Sequence, residues 1–447
     1  MNFSIGLIGW EFRKSGMACA PLKAQFLKIW NKLKPILRKP RWWVAKVLRA
    51  FLWRTTFIAI TGSNGKTTAT RFLAAILSEH APTQWTRLNR NGPGGITETI
   101  AFCKPWKTRY AIFEVGFGKL GSIRRAANLI RPHIAVVLSV FLEHRTELRS
   151  LEVAAREKAE LLKPLSANGI AVLNADDPLV SEMQAPPGSK TIRYGSSTDN
   201  DAFYEDAVSA WPRLLQFTAV VGGHRQEIRT RMLGTHWIGS ILPCIVVARH
   251  LGVSFEKIAR TIEKVPPYPG RMQVVHLPSG VIVVRDEFKG SEHSTRVAFE
   301  ELRKADANRK FLVFCDAAES SRKPRDRLAK TGREAANLFD YVLFIGERGH
   351  HGVSGACKAG MPEDRAQACS DYVEAVKFLQ PILEPGDIVL LKAGRDNQLT
   401  RLFYSLIDEV RCTIPRCNRP MVCDDCPDFK NPEQVSRVNE QLTVGAQ

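Results

Sequence analysis

The hydrophobic positions of this chain alternate between short apolar runs and stretches with helical spacing. The runs that predict buried strands are Phe57–Ile60, Tyr110–Phe113, Ile134–Val140, Ile170–Leu173, Val281–Val284, Phe311–Phe314, Tyr341–Ile345 and Asp387–Leu391. Helical spacing lies between them, for example at Ala69–Leu77, Thr295–Lys304 and Ser370–Leu379. Strands that alternate with helices predict an α/β fold with largely parallel sheets.

The stiff, turn-rich segment Pro266–Gly270 divides this pattern into two α/β halves. We therefore expect four regions, with boundaries at 1–55, 56–268, 269–410 and 411–447. No stretch is long and apolar enough to predict a membrane-spanning helix. The start of the chain also lacks the order of a signal peptide, because its apolar residues precede its basic ones.

Charge is concentrated in region 1–55. The 447 residues have a formal net charge of +19, and region 1–55 holds twelve basic residues, one acidic residue and five of the nine tryptophans. Its apolar positions recur at helical spacing between Leu22 and Leu52. Three interpretations stay open: a helix on an anionic membrane surface, a helix packed on its own domain, and nucleic-acid contact, which no recognisable motif supports.

The most specific motif directly follows the first apolar run. Thr61 and Gly62 begin a glycine-rich turn that continues as Ser63, Asn64, Gly65, Lys66, Thr67 and Thr68. A turn of this kind between a strand and a helix lets backbone N–H groups and the helix N-terminus bind phosphate. Lys66 would reach the β- and γ-phosphates of ATP, and Thr67 would hold Mg²⁺. We expect the residues from Gly62 to Thr68 to bind ATP.

This loop resembles the ATP loop of the Mur ligases, which form amide bonds in peptidoglycan precursors. Other segments resemble the family in order along residues 55–410: Asn89–Gly92 with Gly95, Phe113–Gly116, Val137–Ser139 with His144, Leu148 and Ser150, Ala155–Glu160, Asn174–Pro178, Gly234 with His236, Gly270-Arg271, Asp286 and Lys392–Arg395. The last of these resembles the Lys-Gly-Ser-Arg motif of the D-alanyl-D-alanine-adding branch.

The resemblance implies an ATP- and Mg²⁺-dependent ligase with a central P-loop ATPase domain at 56–268 and a Rossmann-like domain at 269–410. Such an enzyme activates a donor carboxylate as an acyl phosphate, which an amine, here expected to be an amino acid, then attacks. The implied catalytic residues are Lys66, Lys158, His144 and Glu114, with Lys158 carbamylated. Thr67, Glu114 and His144 would bind Mg²⁺, Arg271 and Asp286 would bind ATP, and Lys392 and Arg395 would meet the phosphates or the amine.

For each implied residue a structural role is the alternative. Lys158 would then be a surface lysine, His144 a structural histidine, Glu114 a solvated turn residue, and Arg271 and Asp286 members of surface ion pairs. Two further classes of function also stay open: a ligase that resembles the folylpolyglutamate and poly-γ-glutamate synthetases, and a non-catalytic nucleotide-binding subunit recruited to a membrane.

The chain also departs from the family pattern. Because only about 55 residues precede the phosphate loop, we expect no N-terminal domain for a UDP-linked sugar, which favours a lipid-linked, membrane-held or free small-molecule donor. Phe288, Lys289 and Gly290 replace the family's Tyr, Asn and Ala, and Ser240 replaces an Asn. Asp396-Asn397 replaces Ser-Met. The changes that lie near the family's acceptor site favour an acceptor amine that differs from the family's. We expect a cytoplasmic enzyme, peripheral on the inner face of the membrane if region 1–55 binds lipid.

Four cysteines crowd the tail of the chain. Cys412, Cys417, Cys423 and Cys426 lie within fifteen residues, and the last two form a C-x2-C pair. Zinc, an iron–sulfur cluster and unmetallated thiols are all compatible with this spacing. The absence of a secretory signal favours a reducing compartment over disulfides.

Overall fold

The chain forms two mainly parallel sheets, one in each α/β half. The computed structural model describes residues 41–87, 90–141, 150–316, 323–394, 399–408, 410, 412, 423–426 and 429. His144, Arg395, Cys417 and the predicted stripe from Phe26 to Leu37 lie outside these residues. Within them, no helix is both long and apolar enough to cross a membrane.

The first sheet has nine strands in the order β2-β3-β1-β4-β5-β6-β7-β8-β9. Their bounds are β1 Thr56–Thr61, β2 Thr83–Trp85, β3 Tyr110–Glu114, β4 Ile134–Val137, β5 Ile170–Asn174, β6 Lys190–Gly195, β7 Ala202–Ala210, β8 Arg213–Val221 and β9 His224–Arg229. Strands β1 to β6 pair in parallel, whereas β7, β8 and β9 form an antiparallel extension.

Helices cover both faces of this sheet. They are α1 at residues 41–51, α2 Lys66–His80, α3 Pro93–Phe102, α4 Ser122–Ile130, α5 Leu151–Ala159, α6 Pro178–Ser181, α7 Ile238–His250 and α8 Phe255–Lys264. One core lies between the sheet and helices α2, α7 and α8, and the other lies beneath α3, α4 and α5. The central strands are buried on both sides, which explains their unbroken apolar runs.

The second sheet has six strands in the order β10-β11-β15-β12-β13-β14, and only β10 runs antiparallel to its neighbour. Its strands are β10 Gln273–His276, β11 Ile282–Asp286, β12 Lys310–Cys315, β13 Tyr341–Ile345, β14 Ala366–Cys369 and β15 Ile388–Lys392. Its helices are α9 Glu292–Arg303, α10 Pro324–Ala336, α11 Gly349–Lys358, α12 Tyr372–Leu379 and α13 Thr400–Ser405.

The expected α/β class and all eight predicted strands are confirmed, although β4 ends at Val137, three residues before the predicted end. The pattern missed the antiparallel hairpins β7-β8-β9. Most of β7 is half-buried and most of β9 is exposed, and polar residues such as Glu205, Asp206 and Gln226 interrupt their apolar positions. The change of sheet falls between Arg229 and Gln273, while the exact domain boundaries stay predictions.

The described tail residue Asp424 joins a buried charge cluster in the second domain. Both terminal nitrogens of Arg285 donate to the carboxylate of Asp424 at 2.9 Å, and Arg285 also donates to Glu287 at 2.5 Å. The hydroxyl of Tyr404 donates to Asp424 at 3.1 Å. Arg285 is only 1% exposed, so each carboxylate offsets a desolvated cation.

Replacing Asp424 with Ala should therefore destabilise the fold strongly, because Arg285 would keep only Glu287 as a buried counter-ion. Urea denaturation should show a free energy of unfolding that is lower than the wild-type value by about 3 kcal/mol. Asp364→Ala removes the same charge from an exposed turn and should change stability by less than about 0.5 kcal/mol. Equal stabilities for the two variants would contradict the role of Asp424.

Candidate active site

The phosphate loop lies at the carboxyl end of β1 and needs glycine where helix α7 approaches its backbone. Gly65 has φ 80°, and a Cβ at this position would lie 2.2 Å from Oγ of Ser240. The Lys66 ammonium donates to the carbonyl oxygens of Gly62 at 2.5 Å and Ser63 at 2.9 Å. The helix α2 begins at Lys66, so its free N–H groups point into the same turn.

A buried carboxylate meets the start of this helix. Strand β3 pairs in parallel with β1, so Glu114 at its end lies beside the loop. The Thr67 hydroxyl donates to Glu114 Oε1 at 3.3 Å, and the Asn91 amide donates to the same oxygen at 2.8 Å. Glu114 is 2% exposed. The structure therefore rules out the alternative of a solvated turn residue.

The segment after β4 holds the other side of the loop. Ser63 N–H donates to the Ser139 carbonyl at 2.8 Å, and Asn64 N–H donates to Ser139 Oγ at 3.2 Å. Ser63 Oγ exchanges hydrogen bonds with the backbone of Phe141 at 2.8 and 2.9 Å. These contacts hold the loop against the segment that follows β4.

A cavity of about 230 Å³ lies between the phosphate loop and the second sheet. Asn64, Gly65, Ser139, Asn174, His236 and Ser240 line it from the first domain, and Arg271, Asp286, Lys289, His293 and Ser294 line it from the second. The two sides touch directly: Lys289 Nζ donates to Asn64 Oδ1 at 2.8 Å, and the rings of Phe141 and His293 stack at 4.4 Å. The predicted ATP residues Arg271 and Asp286 thus share one cavity with the loop.

Lys392 is held by a buried ion pair at the second-domain side of the cavity. Its ammonium lies 2.6 Å from Asp286 Oδ2 and also donates to the Lys289 carbonyl at 2.7 Å and to Ser294 Oγ at 3.0 Å. Burial lowers the pKa of Lys392 and raises that of Asp286, and the pair partly offsets both shifts. Lys392 therefore positions the turn that carries Lys289, and contact of Lys392 with phosphate stays a prediction.

Two further predicted residues of the first domain are basic, His236 and Lys158. His236 lines the cavity but is exposed, and partial desolvation lowers the pKa of its imidazole. Lys158 is 3% exposed on α5, whose N-terminus Ser150 caps by accepting from Val153 N–H at 3.3 Å. The surface-lysine alternative for Lys158 is therefore wrong, while its carbamylation stays a prediction.

Comparison with known sequences gives two successive domain matches. Residues 60–248 match the Mur ligase middle domain, and residues 270–395 match the Mur ligase, glutamate ligase domain. The UDP-N-acetylmuramoyl-tripeptide--D-alanyl-D-alanine ligase of Mycobacterium tuberculosis H37Rv is 30% identical over 392 residues, which is 80% of this chain and 74% of that protein. The enzyme of the same name from Escherichia coli K12 is 27% identical over 359 residues, covering 79% of this chain and 77% of that protein.

The chain belongs to the Mur ligase family. Members of this family are ATP-dependent ligases that form amide bonds, and the predicted carboxylate–amine ligase is confirmed at this level. The folylpolyglutamate-like and non-catalytic alternatives gain no support.

Solved Mur ligase structures have the same fold. A crystal structure of MurF from Acinetobacter baumannii superposes with a TM-score of 0.76 at 23% identity, covering 83% of this chain and 81% of that one. MurF from Thermotoga maritima in complex with ADP gives 0.67 at 21% identity, covering 81% and 82%.

Sequence reasoning missed the direct partners of the predicted residues. The amide of Asn91, the hydroxyl of Ser139, and Lys289 all contact the loop or Glu114, but none was among the predicted site residues. Asn91 and Ser139 stand in segments that resemble the Mur ligases, and Lys289 stands where the family has Asn. The motif comparison could therefore have pointed to these three residues, but it could not have predicted which groups they contact.

The tail cysteines give no support to the zinc hypothesis. Among the described residues, no three His, Cys, Asp or Glu side chains are grouped so as to hold a metal ion. Cys423 and Cys426 are buried in the apolar core of the second domain. Burial raises the pKa of Cys423 to about 11, so its side chain is a neutral thiol in this packing.

Proposed function

We propose that this Mur ligase activates a donor carboxylate in the cavity between its two domains and joins it to an amine. The observation that carries the proposal is that Arg271, Asp286 and Lys289 line a cavity whose other side is the phosphate loop. Within that loop, Lys66 and Thr67 directly follow the cavity residues Asn64 and Gly65, and Thr67 contacts Glu114. The carboxylate oxygen attacks the γ-phosphorus of ATP, ADP leaves, and the acyl phosphate forms. The amine nitrogen then attacks the acyl carbon, and inorganic phosphate and a proton are released.

The loop residues bind the triphosphate in this proposal. The Lys66 ammonium now bonds carbonyls at the mouth of the loop, and phosphate oxygens would replace those carbonyls as its acceptors. Lys66 and Lys289 would then approach the phosphates from opposite domains. Because charge spreads over the transferring phosphoryl oxygens, fixed cations stabilise the transition state.

Thr67 and Glu114 suit Mg²⁺. Their oxygens lie 3.3 Å apart, close to the spacing of about 3 Å expected between adjacent ligands at Mg–O distances near 2.1 Å. Hydroxyl and carboxylate oxygens are also the ligand type that Mg²⁺ prefers. Bound there, Mg²⁺ would neutralise charge on the phosphates. His144 and a carbamylated Lys158 remain proposed further members of the metal site, as Arg395 does of the acceptor site.

The substrates are proposed from the name of the relatives and from the positions where this chain departs from the family pattern. The relatives' name pairs a UDP-linked peptide donor with D-alanyl-D-alanine, so we propose a small-molecule carboxylate donor and an amino-acid or dipeptide amine. Lys289 and Phe288 change the turn that faces the cavity, which favours an amine different from that of the relatives. The twelve basic residues and five tryptophans of region 1–55 favour a donor held at an anionic membrane, and with it a place on the inner membrane face.

Lys66→Ala should abolish ADP formation, because no other loop side chain supplies a cation to the β- and γ-phosphates. ADP release is measured with pooled carboxylates, amino acids and dipeptides, and we expect a drop of at least about 10²-fold. Lys163→Ala removes an exposed lysine and serves as the control. If no pool raises the wild-type rate above that of Lys66→Ala, the ligase proposal fails.

Glu114→Gln should remove the Mg²⁺ dependence of nucleotide binding while the loop still binds phosphate. Calorimetry with a non-hydrolysable ATP analogue, with and without Mg²⁺, is expected to show tighter binding with metal for the wild type only. Glu256→Gln, on an exposed position of helix α8, is the matched control. Retained Mg²⁺ dependence in Glu114→Gln would exclude Glu114 as a ligand.

Lys289→Ala should lower kcat/KM for ATP on the order of 10- to 100-fold, since one cation at the phosphates is lost. Lys289→Arg should retain most of the activity, and Lys289→Asn, which restores the family residue, reports whether the lysine is specific to this enzyme's amine. Steady-state kinetics and thermal unfolding are measured together. A reduced melting temperature with unchanged kinetics would assign Lys289 a structural role instead.

A further inference from the structure

Two chain segments expose an unusual group of apolar side chains at one edge of the first sheet. Residues 41–56 and 102–109 form this group, here named the amino-edge surface. Its large apolar members, 38–70% exposed, are Trp43, Val44, Val47, Phe51, Trp53, Phe102 and Trp106. Three tryptophans that are each more than 60% exposed make an apolar patch of the kind that marks an interaction site.

Hydrogen bonds join the two segments into one surface. Thr55 Oγ1 donates to the Thr108 carbonyl at 2.8 Å, and Thr56 N–H donates to the Arg109 carbonyl at 2.9 Å. Trp53 and Trp106 each stand two residues before this junction, so they lie at the same edge of the sheet. Both segments adjoin the amino end of β1, whereas the phosphate loop follows its carboxyl end.

Helix α1 is apolar on two opposite faces. Ala45 and Leu52 are buried in the core beneath α3 and α4. Arg49 fixes the helix by donating to the Ile130 carbonyl at 2.8 Å. The outward positions 43, 47 and 51 are spaced by four residues and face away from that core. The chain's own described core therefore uses only one of the two apolar faces.

The amino-edge surface is also uniformly basic. It holds seven basic residues and no acidic one: Arg41, Lys46, Arg49, Arg54, Lys104, Lys107 and Arg109. All except Arg49 are exposed. Exposed Trp and Phe with interspersed Lys and Arg are the composition of proteins that lie in the interface of an anionic bilayer.

Charge decides between the possible occupants. Residues 1–40 contain eight basic residues and one acidic residue, so either that segment or the same surface of a second copy would bring like charges together. Nucleic acid would satisfy the cations but would leave the aliphatic Val44 and Val47 without an apolar partner. An anionic lipid surface satisfies both the charge and the apolar area.

We propose that the amino-edge surface docks on an anionic lipid membrane, with the aromatic side chains in the interface and the lysines and arginines at the headgroups. What docking would mean for catalysis rests on the proposed function. Strand β1 has six residues, so the catalytic loop would stand roughly 20 Å farther from the lipid than the docking surface. A lipid-linked donor would then need an extended polar headgroup to place its carboxylate in the cavity.

Vesicle sedimentation of the full-length protein tests the proposal. Vesicles of phosphatidylcholine alone are compared with vesicles that also contain phosphatidylglycerol, at low and high salt and without ATP. We expect binding only to the anionic vesicles and weakening by salt. The double variants Trp53→Ser/Trp106→Ser and Lys46→Glu/Lys107→Glu should each weaken binding on the order of tenfold or more.

Matched controls lie elsewhere on the protein. Leu120→Ser/Val373→Ser removes exposed apolar side chains, and Lys358→Glu/Lys377→Glu reverses exposed charges; both should bind like the wild type. Equal binding to neutral vesicles, no binding, or unchanged binding by the surface variants would overturn the proposal. So would binding to duplex DNA instead of vesicles, or self-association that the surface variants abolish. ADP formation assayed without vesicles tests the ligase separately, so either proposal can fail alone.

Discussion

The parallel pairing of β1 with β3 and β4 is the constraint on which the site depends. Parallel neighbours bring their carboxyl ends to one edge of the sheet. The phosphate loop after Thr61, the carboxylate of Glu114 and the segment of Ser139 are therefore adjacent, although 78 residues separate Thr61 from Ser139. The contacts of Thr67 with Glu114, and of Ser63 and Asn64 with Ser139, follow from that register, because these residues leave neighbouring strands at the same level.

The second domain contributes through the same geometry. Strands β11 and β15 are parallel neighbours, and Asp286 is paired with Lys392 in their register. The buried ion pair between these two side chains holds the turn that presents Lys289 to Asn64. A buried pair of this kind is costly to break, since either partner left alone would be an uncompensated charge. The cavity thus lies between the carboxyl edges of two sheets, and the fixed charges of Arg271, Asp286 and Lys289 line its second-domain side.

The two ends of the first sheet carry different chemistry. Polar and cationic groups that suit phosphate gather at the carboxyl edge, whereas aromatic and basic side chains that suit a bilayer surface gather at the amino edge. The described tail residues around Asp424, in contrast, pack on the second domain: Asp424 neutralises Arg285, and Cys423 and Cys426 pack among apolar residues. At the described positions Cys423 and Cys426, the crowded cysteines therefore belong to a segment packed in the apolar core.

The sequence by itself determined the α/β class, the phosphate loop and the family, because these depend on local periodicity and on motifs a few residues long. It also placed Lys66, Thr67 and Glu114 at strand and helix ends. Tertiary structure alone decided which side chains meet: Asn91 with Glu114, Lys289 with Asn64, and Lys392 with Asp286 are 23, 225 and 106 residues apart. The hairpins β7-β9 and the burial of Lys158 also escaped the pattern. Side-chain contacts and burial depend on how distant segments pack together, and local periodicity does not specify that packing.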